Sequence, residues 1–206
     1  MAKAKVLTKE EIRRVFRIIE TSRYPTRDAA TFALSIHAGM RCKEICSLRI
    51  GDIRGVDGQT VDIINLSKSQ TKGGKNSRRV FISDDLKKIL KAHLRTVQKL
   101  DDAQAFIRST QTNGHFSTVT LSTRMKRIYR SAGIVATSHS GRRSFATSMG
   151  SLGIGMRTIM QCMGHRSISS TALYIEARRF SRLCDRQERH NHTDHVTVDG
   201  FRAVQI

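Results

Sequence analysis

Apolar residues recur at intervals of three and four along most of the chain, which predicts a largely helical protein. The first helix begins after Thr8, because Thr8 and Glu11 have the spacing of a capping box. Pro25 then interrupts the pattern. Further helices are predicted over about 28–37, 42–48, 84–98, 118–132, 138–150 and 154–163. One more is predicted to start near Ser169 and to run through Tyr174 and Ala177.

Two stretches depart from the helical period. Val61–Leu66 and Arg79–Ile82 are short and rich in β-branched residues, as strands are. Between them, residues 68–78 carry three lysines, one arginine, two glycines and no acid. This pattern predicts a β-hairpin with a mobile basic tip. The expected fold class is therefore mostly α with a small antiparallel β-sheet (α+β).

The chain has 206 residues, a length that fits one domain with a tail. We assign residues 1–186 to the domain and the polar, patternless residues 187–206 to a C-terminal tail. Two interpretations of the tail stay open at this stage: it packs on a neighbouring protomer, or it frays.

Charge narrows the choice of partner. The chain has 37 Lys and Arg against 17 Asp and Glu, for a formal net charge of +20. Such a balance favours a polyanionic partner, nucleic acid first and an acidic membrane surface second. No apolar run is long enough to span a membrane, and the N-terminus lacks an apolar signal core. A cytoplasmic location is expected.

Several polar residues stand where a helix or hairpin would not need them, although each alone has an ordinary structural explanation. They are Arg41, Lys72, His139, Arg142, His165 and Tyr174. Together they have the chemistry of phosphoryl transfer. Guanidinium groups bind phosphate oxygens through paired hydrogen bonds. Cationic neighbours favour the phenolate form of a tyrosine and so activate it as a nucleophile. A lysine can protonate the leaving oxygen.

The order and spacing of these residues strongly resemble the tyrosine recombinases, also called the phage integrase family, over roughly residues 8–180. Residues 38–48 with Asp52 and Ile53 are similar to the first box of that family. Thr71–Lys75 followed by Arg79 and Val80 is similar to its hairpin box. The other two similar boxes are His139–Arg142, and Gly164–Ser167 followed by Thr171 and Tyr174.

The resemblance implies the fold of the family's catalytic domain and a role for each matched residue. Tyr174 would attack the scissile phosphate and form a 3′-phosphotyrosyl bond, while Arg41, Arg142 and His165 hold that phosphate. His139 would be the general acid and base, and Lys72 would protonate the leaving 5′ oxygen. Lys68 and Lys75 compete with Lys72 for that role, and Glu44 would support Arg41. The residues expected to contact DNA are Lys68, Lys75, Arg78, Arg79, Arg143 and Arg166.

The expected partner is double-stranded DNA with specific recombination sites, bound by a homo-tetramer, with an accessory DNA-bending protein as a further partner. No cofactor and no metal are implied. Integration, excision and inversion are not separated by the sequence. Two other functions stay open: a DNA-binding regulator with this fold but no strand transfer, and a DNA-relaxing enzyme similar to type IB topoisomerases.

One departure from the family concerns the N-terminus. Many members carry a separate domain there that grips the other face of DNA, whereas Thr8 already begins the first helix here. The chain is therefore expected to be a catalytic domain alone, similar to the short recombinases that invert promoter segments of fimbrial operons.

Overall fold

The computed structural model describes residues 4–71, 73 and 77–165, which contain seven α-helices and one two-stranded sheet. In chain order the elements are α1 (Lys9–Glu20), α2 (Pro25–Ile36), α3 (Cys42–Cys46), β1 (Ile63–Leu66), β2 (Arg78–Phe81), α4 (Asp84–Thr96), α5 (Thr118–Ser131), α6 (Ser140–Ser151) and α7 (Met156–Met163). The predicted α+β class, mostly helical, is confirmed. The helix predicted from Ser169 lies outside the described residues.

The starts of the first two helices follow local rules. The Thr8 hydroxyl accepts from the Glu11 N–H at 3.1 Å, and the Glu11 carboxylate accepts from the Thr8 N–H at 3.0 Å, so the predicted capping box is present. Pro25 opens α2 rather than only ending the preceding segment. A proline fits the first turn because the N–H it lacks has no partner within the helix there. The helix therefore begins three residues earlier than predicted.

The core is built around α2, in which every residue from Ala30 to Ile36 is buried. This helix packs against α1, α4 and α6. A small separate cluster of Ala146, Ile159 and Met163 joins α6 to α7. Gly39, just after α2, lies against Phe145 of α6 and Met163 of α7. The end of α2 and the end of α7 thus meet beneath α3.

The sheet is an antiparallel hairpin whose register pairs Ile63 with Phe81 and Leu66 with Arg78. Side chains alternate along β2, so Arg78 and Val80 are buried whereas Arg79 and Phe81 are exposed. Arg78, which we expected at the basic tip of the hairpin, is therefore an inward-facing residue of a strand. In the part of the chain that the structure describes, no helix has the length and apolar character needed to cross a membrane.

Candidate active site

The first site arginine lies at the start of α3. The Arg41 backbone N–H donates to Glu44 Oε2 at 2.9 Å, and its Nη1 donates to Glu44 Oε1 at 2.7 Å. Glu44 is 0% exposed, whereas the Arg41 side chain is partly exposed. A buried carboxylate therefore holds both the backbone and the guanidinium of Arg41, which fixes the direction of the side chain.

The second arginine comes from α6. This helix approaches α2 closely at Gly141, where a Cβ atom would lie 2.5 Å from Ser35 Oγ. The absence of a side chain at Gly141 allows the next residue, Arg142, to reach beneath α3 and donate to the Gly39 carbonyl. Arg142 is 2% exposed. His139 precedes α6 and its side chain is exposed.

Three arginines converge on the last carbonyls of α7. Arg78 donates to the Cys162 carbonyl, Arg142 to the Met163 carbonyl and Arg41, at 3.1 Å, to the Gly164 carbonyl. The last four carbonyls of a helix have no partner within the helix and carry its negative dipole end, so cations stabilise them. Gly164 ends α7 with a φ of 58°, and His165 follows directly. The arginine cluster thus also places His165.

The charges of this cluster set the protonation states around it. Burial alone raises the pKa of Glu44, but Arg78, the Arg41 N–H, and the Arg142 and Arg41 guanidiniums together hold that pKa below its usual value. Burial and the positive charges of Arg142, Arg41 and Arg78 lower the pKa of His165 to about 4. Near neutral pH, Glu44 is therefore ionised and His165 is uncharged.

Arg41, Glu44, Arg78 and His165 line a cleft of about 840 Å³ between the hairpin and the end of α7. Its cationic walls are Arg41, Arg78 and Arg79, and His165 lies at its edge. Thr71 and Ser77 also line the cleft. They stand on either side of residues 72–76 in the sequence, the segment that contains Lys72 and Lys75.

The remaining predicted residues divide into three groups. Lys68 and Arg79 are exposed, as a DNA contact requires. Arg78 and Arg143 are 8% and 7% exposed, so the expectation that their side chains face DNA is corrected: both lie in the interior. Lys72, Lys75, Arg166 and Tyr174 lie outside the described residues.

The sequence interpretation missed the contribution of Arg78 to the site. The strand pattern contained the information, because side chains alternate along a strand and Val80 is a core residue. Arg78, two positions before Val80, had to share its inward face. The interpretation also missed Lys43, whose Nζ donates to the Thr71 carbonyl at 2.9 Å. Among residues 4–71, 73 and 77–165, no group of three or more His, Cys, Asp or Glu side chains is arranged to hold a metal ion.

Solved structures define the class of this fold. The crystal structure of XerA recombinase superposes with a TM-score of 0.74 at 24% identity, covering 94% of this chain and 68% of that one. XerH site-specific recombinase bound to palindromic difH substrate in a post-cleavage complex superposes with a TM-score of 0.68 at 20% identity, covering 90% and 54%. The fold is that of a tyrosine recombinase catalytic domain.

Sequence comparison gives the family. Residues 5–179 match the model of the phage integrase family, and the chain belongs to that family. It is 34% identical over 172 residues to the tyrosine recombinase XerA of Pyrococcus furiosus. That match covers 82% of this chain, which spans 56% of the length of the relative.

Proposed function

We propose that this chain is the catalytic part of a site-specific DNA recombinase that cleaves and rejoins DNA through a 3′-phosphotyrosyl intermediate. The observation that carries the proposal is the convergence of Arg41, Arg142 and His165, from three separate parts of the chain, beside one buried carboxylate. Membership of the phage integrase family supports it.

In the proposed reaction, the Tyr174 oxygen bonds to the scissile phosphorus and the bond from phosphorus to the 5′ oxygen breaks. His139 takes the tyrosine proton, and Lys72 protonates the leaving 5′ oxygen. Arg41, partly exposed, binds the phosphate from the cleft, and His165 donates to it as an uncharged imidazole. Arg142 meets the phosphate after the end of α7 shifts, because the residue is 2% exposed and its guanidinium is bonded to two carbonyls. The reverse steps rejoin the strand.

The proposed partner is double-stranded DNA that carries specific recombination sites, cleaved by a homo-tetramer, with an accessory DNA-bending protein. A domain over residues 1–186, a tail over 187–206 and a cytoplasmic location belong to the same proposal. The positive charge of the chain supports a DNA partner. The XerH structure contains difH DNA, which is a property of that protein.

Covalent trapping tests this function. The full chain is incubated, with EDTA present, with a library of random-sequence duplexes that carry a nick near the centre, so that a cleaved strand diffuses away and the adduct accumulates. After quenching with SDS, protein-linked DNA is isolated and sequenced. We expect an adduct that is enriched in one sequence and absent for Tyr174→Phe, while the variant still binds DNA.

Other outcomes contradict the proposal in recognisable ways. An adduct that persists in Tyr174→Phe means that another residue is the nucleophile. Salt-sensitive binding without any adduct indicates a regulator. Adducts with no sequence preference, together with relaxation of any supercoiled plasmid, indicate a topoisomerase.

A further inference from the structure

One guanidinium outside the predicted catalytic set joins three parts of the site. Arg78 Nη1 donates to Glu44 Oε2 at 2.7 Å, and Nη2 donates to the Ala38 carbonyl at 3.2 Å and to the Cys162 carbonyl. These partners belong to α3, the turn after α2, and the end of α7. Only an arginine offers several donors in one rigid plane that reach such separate acceptors together.

The first of these contacts acts on Arg41. Glu44 has two oxygens: Oε2 accepts from Arg78 and from the Arg41 N–H, and Oε1 accepts from the Arg41 guanidinium. Arg78 therefore holds the carboxylate in the orientation that directs Arg41 toward the cleft. A carboxylate that is 0% exposed has no water to replace a lost partner.

The other contacts act on His165 and the hairpin. By binding the Cys162 carbonyl, Arg78 fixes the last turn of α7, two residues before the Gly164–His165 bend. Arg78 also begins β2, two positions after residue 76. At the opposite end of that segment, Lys43 of α3 holds the Thr71 carbonyl. Thr71 and Arg78, which flank residues 72–76, are thus each bonded to a residue of α3.

We propose that Arg78 is a positioning residue of the reaction, which sets Arg41 through Glu44 and sets His165 through the end of α7, and does not itself bind the phosphate. This inference rests on the proposed recombinase function. It assigns Arg78 a role in the phosphate site in place of the expected contact with DNA.

The experiment uses Arg78→Lys, which keeps the charge but loses the planar fork. The substrate is the nicked duplex whose sequence the trapping experiment identifies. The single-turnover rate of adduct formation is expected to fall on the order of 100-fold, since a small misplacement of catalytic groups has that effect. Duplex affinity is expected to stay within about threefold, because the phosphate is still bound from Arg41. The double variant with Glu44→Gln is expected to be no slower than the slower single variant, since both changes break one chain of contacts.

Arg54→Lys is the matched control. Arg54 likewise binds two backbone carbonyls, of Gln98 and Leu100, and one carboxylate, of Asp102, but it does not line the cleft. The Arg54→Lys variant is expected to lose thermal stability and to keep the cleavage rate of the unmodified protein. Equal loss of rate in both variants would mean that Arg78 only stabilises the fold. The positioning role would be wrong if Arg78→Lys lost duplex affinity and cleavage rate equally. It would also be wrong if the rate losses of the two single variants multiplied in the double variant. Either result would indicate direct contact of Arg78 with DNA.

A second measurement needs no DNA. In Arg78→Lys, loosening of the end of α7 is expected to hydrate the His165 ring and to move its NMR titration toward the ordinary histidine range. An unchanged His165 titration would contradict the role at α7. Absence of an adduct in the unmodified protein would instead contradict the proposed function, so the two failures are distinguishable.

Discussion

The buried carboxylate of Glu44 lies among the guanidiniums of Arg41, Arg78 and Arg142, and the net positive charge of this group acts on the histidine beside it. Burial disfavours a charged His165, and the positive charges of Arg142, Arg41 and Arg78 disfavour it further. An uncharged imidazole still donates one hydrogen bond, which is what a phosphate oxygen requires. The cationic character of the site therefore resides in its arginines rather than in His165.

His165 is expected to titrate near pH 4 in NMR spectra of its ring protons. Substitution Arg41→Gln removes one nearby positive charge, so the pKa of His165 is expected to rise, but only partly, because burial is the largest cause of its depression. Duplex DNA is expected to raise it as well, since a phosphate offsets the guanidiniums. A pKa that stays near 4 in the variant, or that moves lower, would contradict this electrostatic account.

The choice between Lys72 and Lys75 is tested by chemistry at the leaving group. A duplex in which sulfur replaces the bridging 5′ oxygen needs no proton to release that strand, because a thiolate is a good leaving group. Lys72→Ala is expected to cleave the natural duplex slowly and the sulfur-containing duplex at nearly the unmodified rate. Rescue of Lys75→Ala but not of Lys72→Ala would assign the role to Lys75.

Helix ends, more than helix interiors, build this site. Arg41 precedes α3, His139 precedes α6, and His165 follows α7. Helix periodicity predicted where these elements lie, with ends that differ from the structure by up to three residues. It could not predict that three arginines bind the successive carbonyls of Cys162, Met163 and Gly164 at the end of α7, because those contacts join residues separated by 21 to 123 positions.

Gly164→Ala tests how tightly the end of α7 is packed. Both Gly164 and Gly153 have positive φ, but a Cβ atom at Gly164 would lie 2.7 Å from Arg78 Cδ, whereas nothing lies within 4 Å at Gly153. Gly153→Ala is expected to cost about 1 kcal/mol of unfolding free energy from backbone strain alone. Gly164→Ala is expected to cost more and also to slow adduct formation. Equal costs in urea denaturation would mean that Arg78 moves aside freely.

The net charge of +20 acts at the scale of the whole molecule. Binding of duplex DNA releases counterions, so affinity is expected to fall steeply as sodium chloride rises, with a slope of about −0.9 for each phosphate contacted. Lys68 lies beside the hairpin. The Lys68→Ala variant is expected to have a slope shallower by about 0.9, the contribution of one phosphate contact. Lys88→Ala is the control, because Lys88 is an exposed lysine of α4 and lies outside the hairpin. Equal slopes for the two variants would remove Lys68 from the DNA surface.

Acid is expected to destabilise the folded chain through two histidines whose pKa is lowered by folding, the buried His93 and the partly buried His165. Burial, the largest effect on each, lowers the pKa of His93 and of His165 to about 4 from an ordinary value of 6.5. The unfolded chain therefore binds more protons between these values, and the free energy of unfolding decreases as pH falls from 6.5 to 4. Urea denaturation should show a loss of about 2 kcal/mol for His93 alone between pH 7 and 4.5. A flat profile over that range would contradict burial of His93 in its uncharged form.

The helical period, the capping box at Thr8, the hairpin and the order of the family boxes can be read from the chain alone, because each depends on neighbouring residues or on spacing along the chain. Which basic residues face inward depends instead on the packed fold. Arg78 and Arg79 are adjacent and chemically identical, yet Arg78 binds Glu44 in the interior and Arg79 lies exposed at the cleft. That difference arises from the strand's alternation against a particular core, together with a buried carboxylate that needs a cationic partner. Such a requirement exists only after the helices have packed.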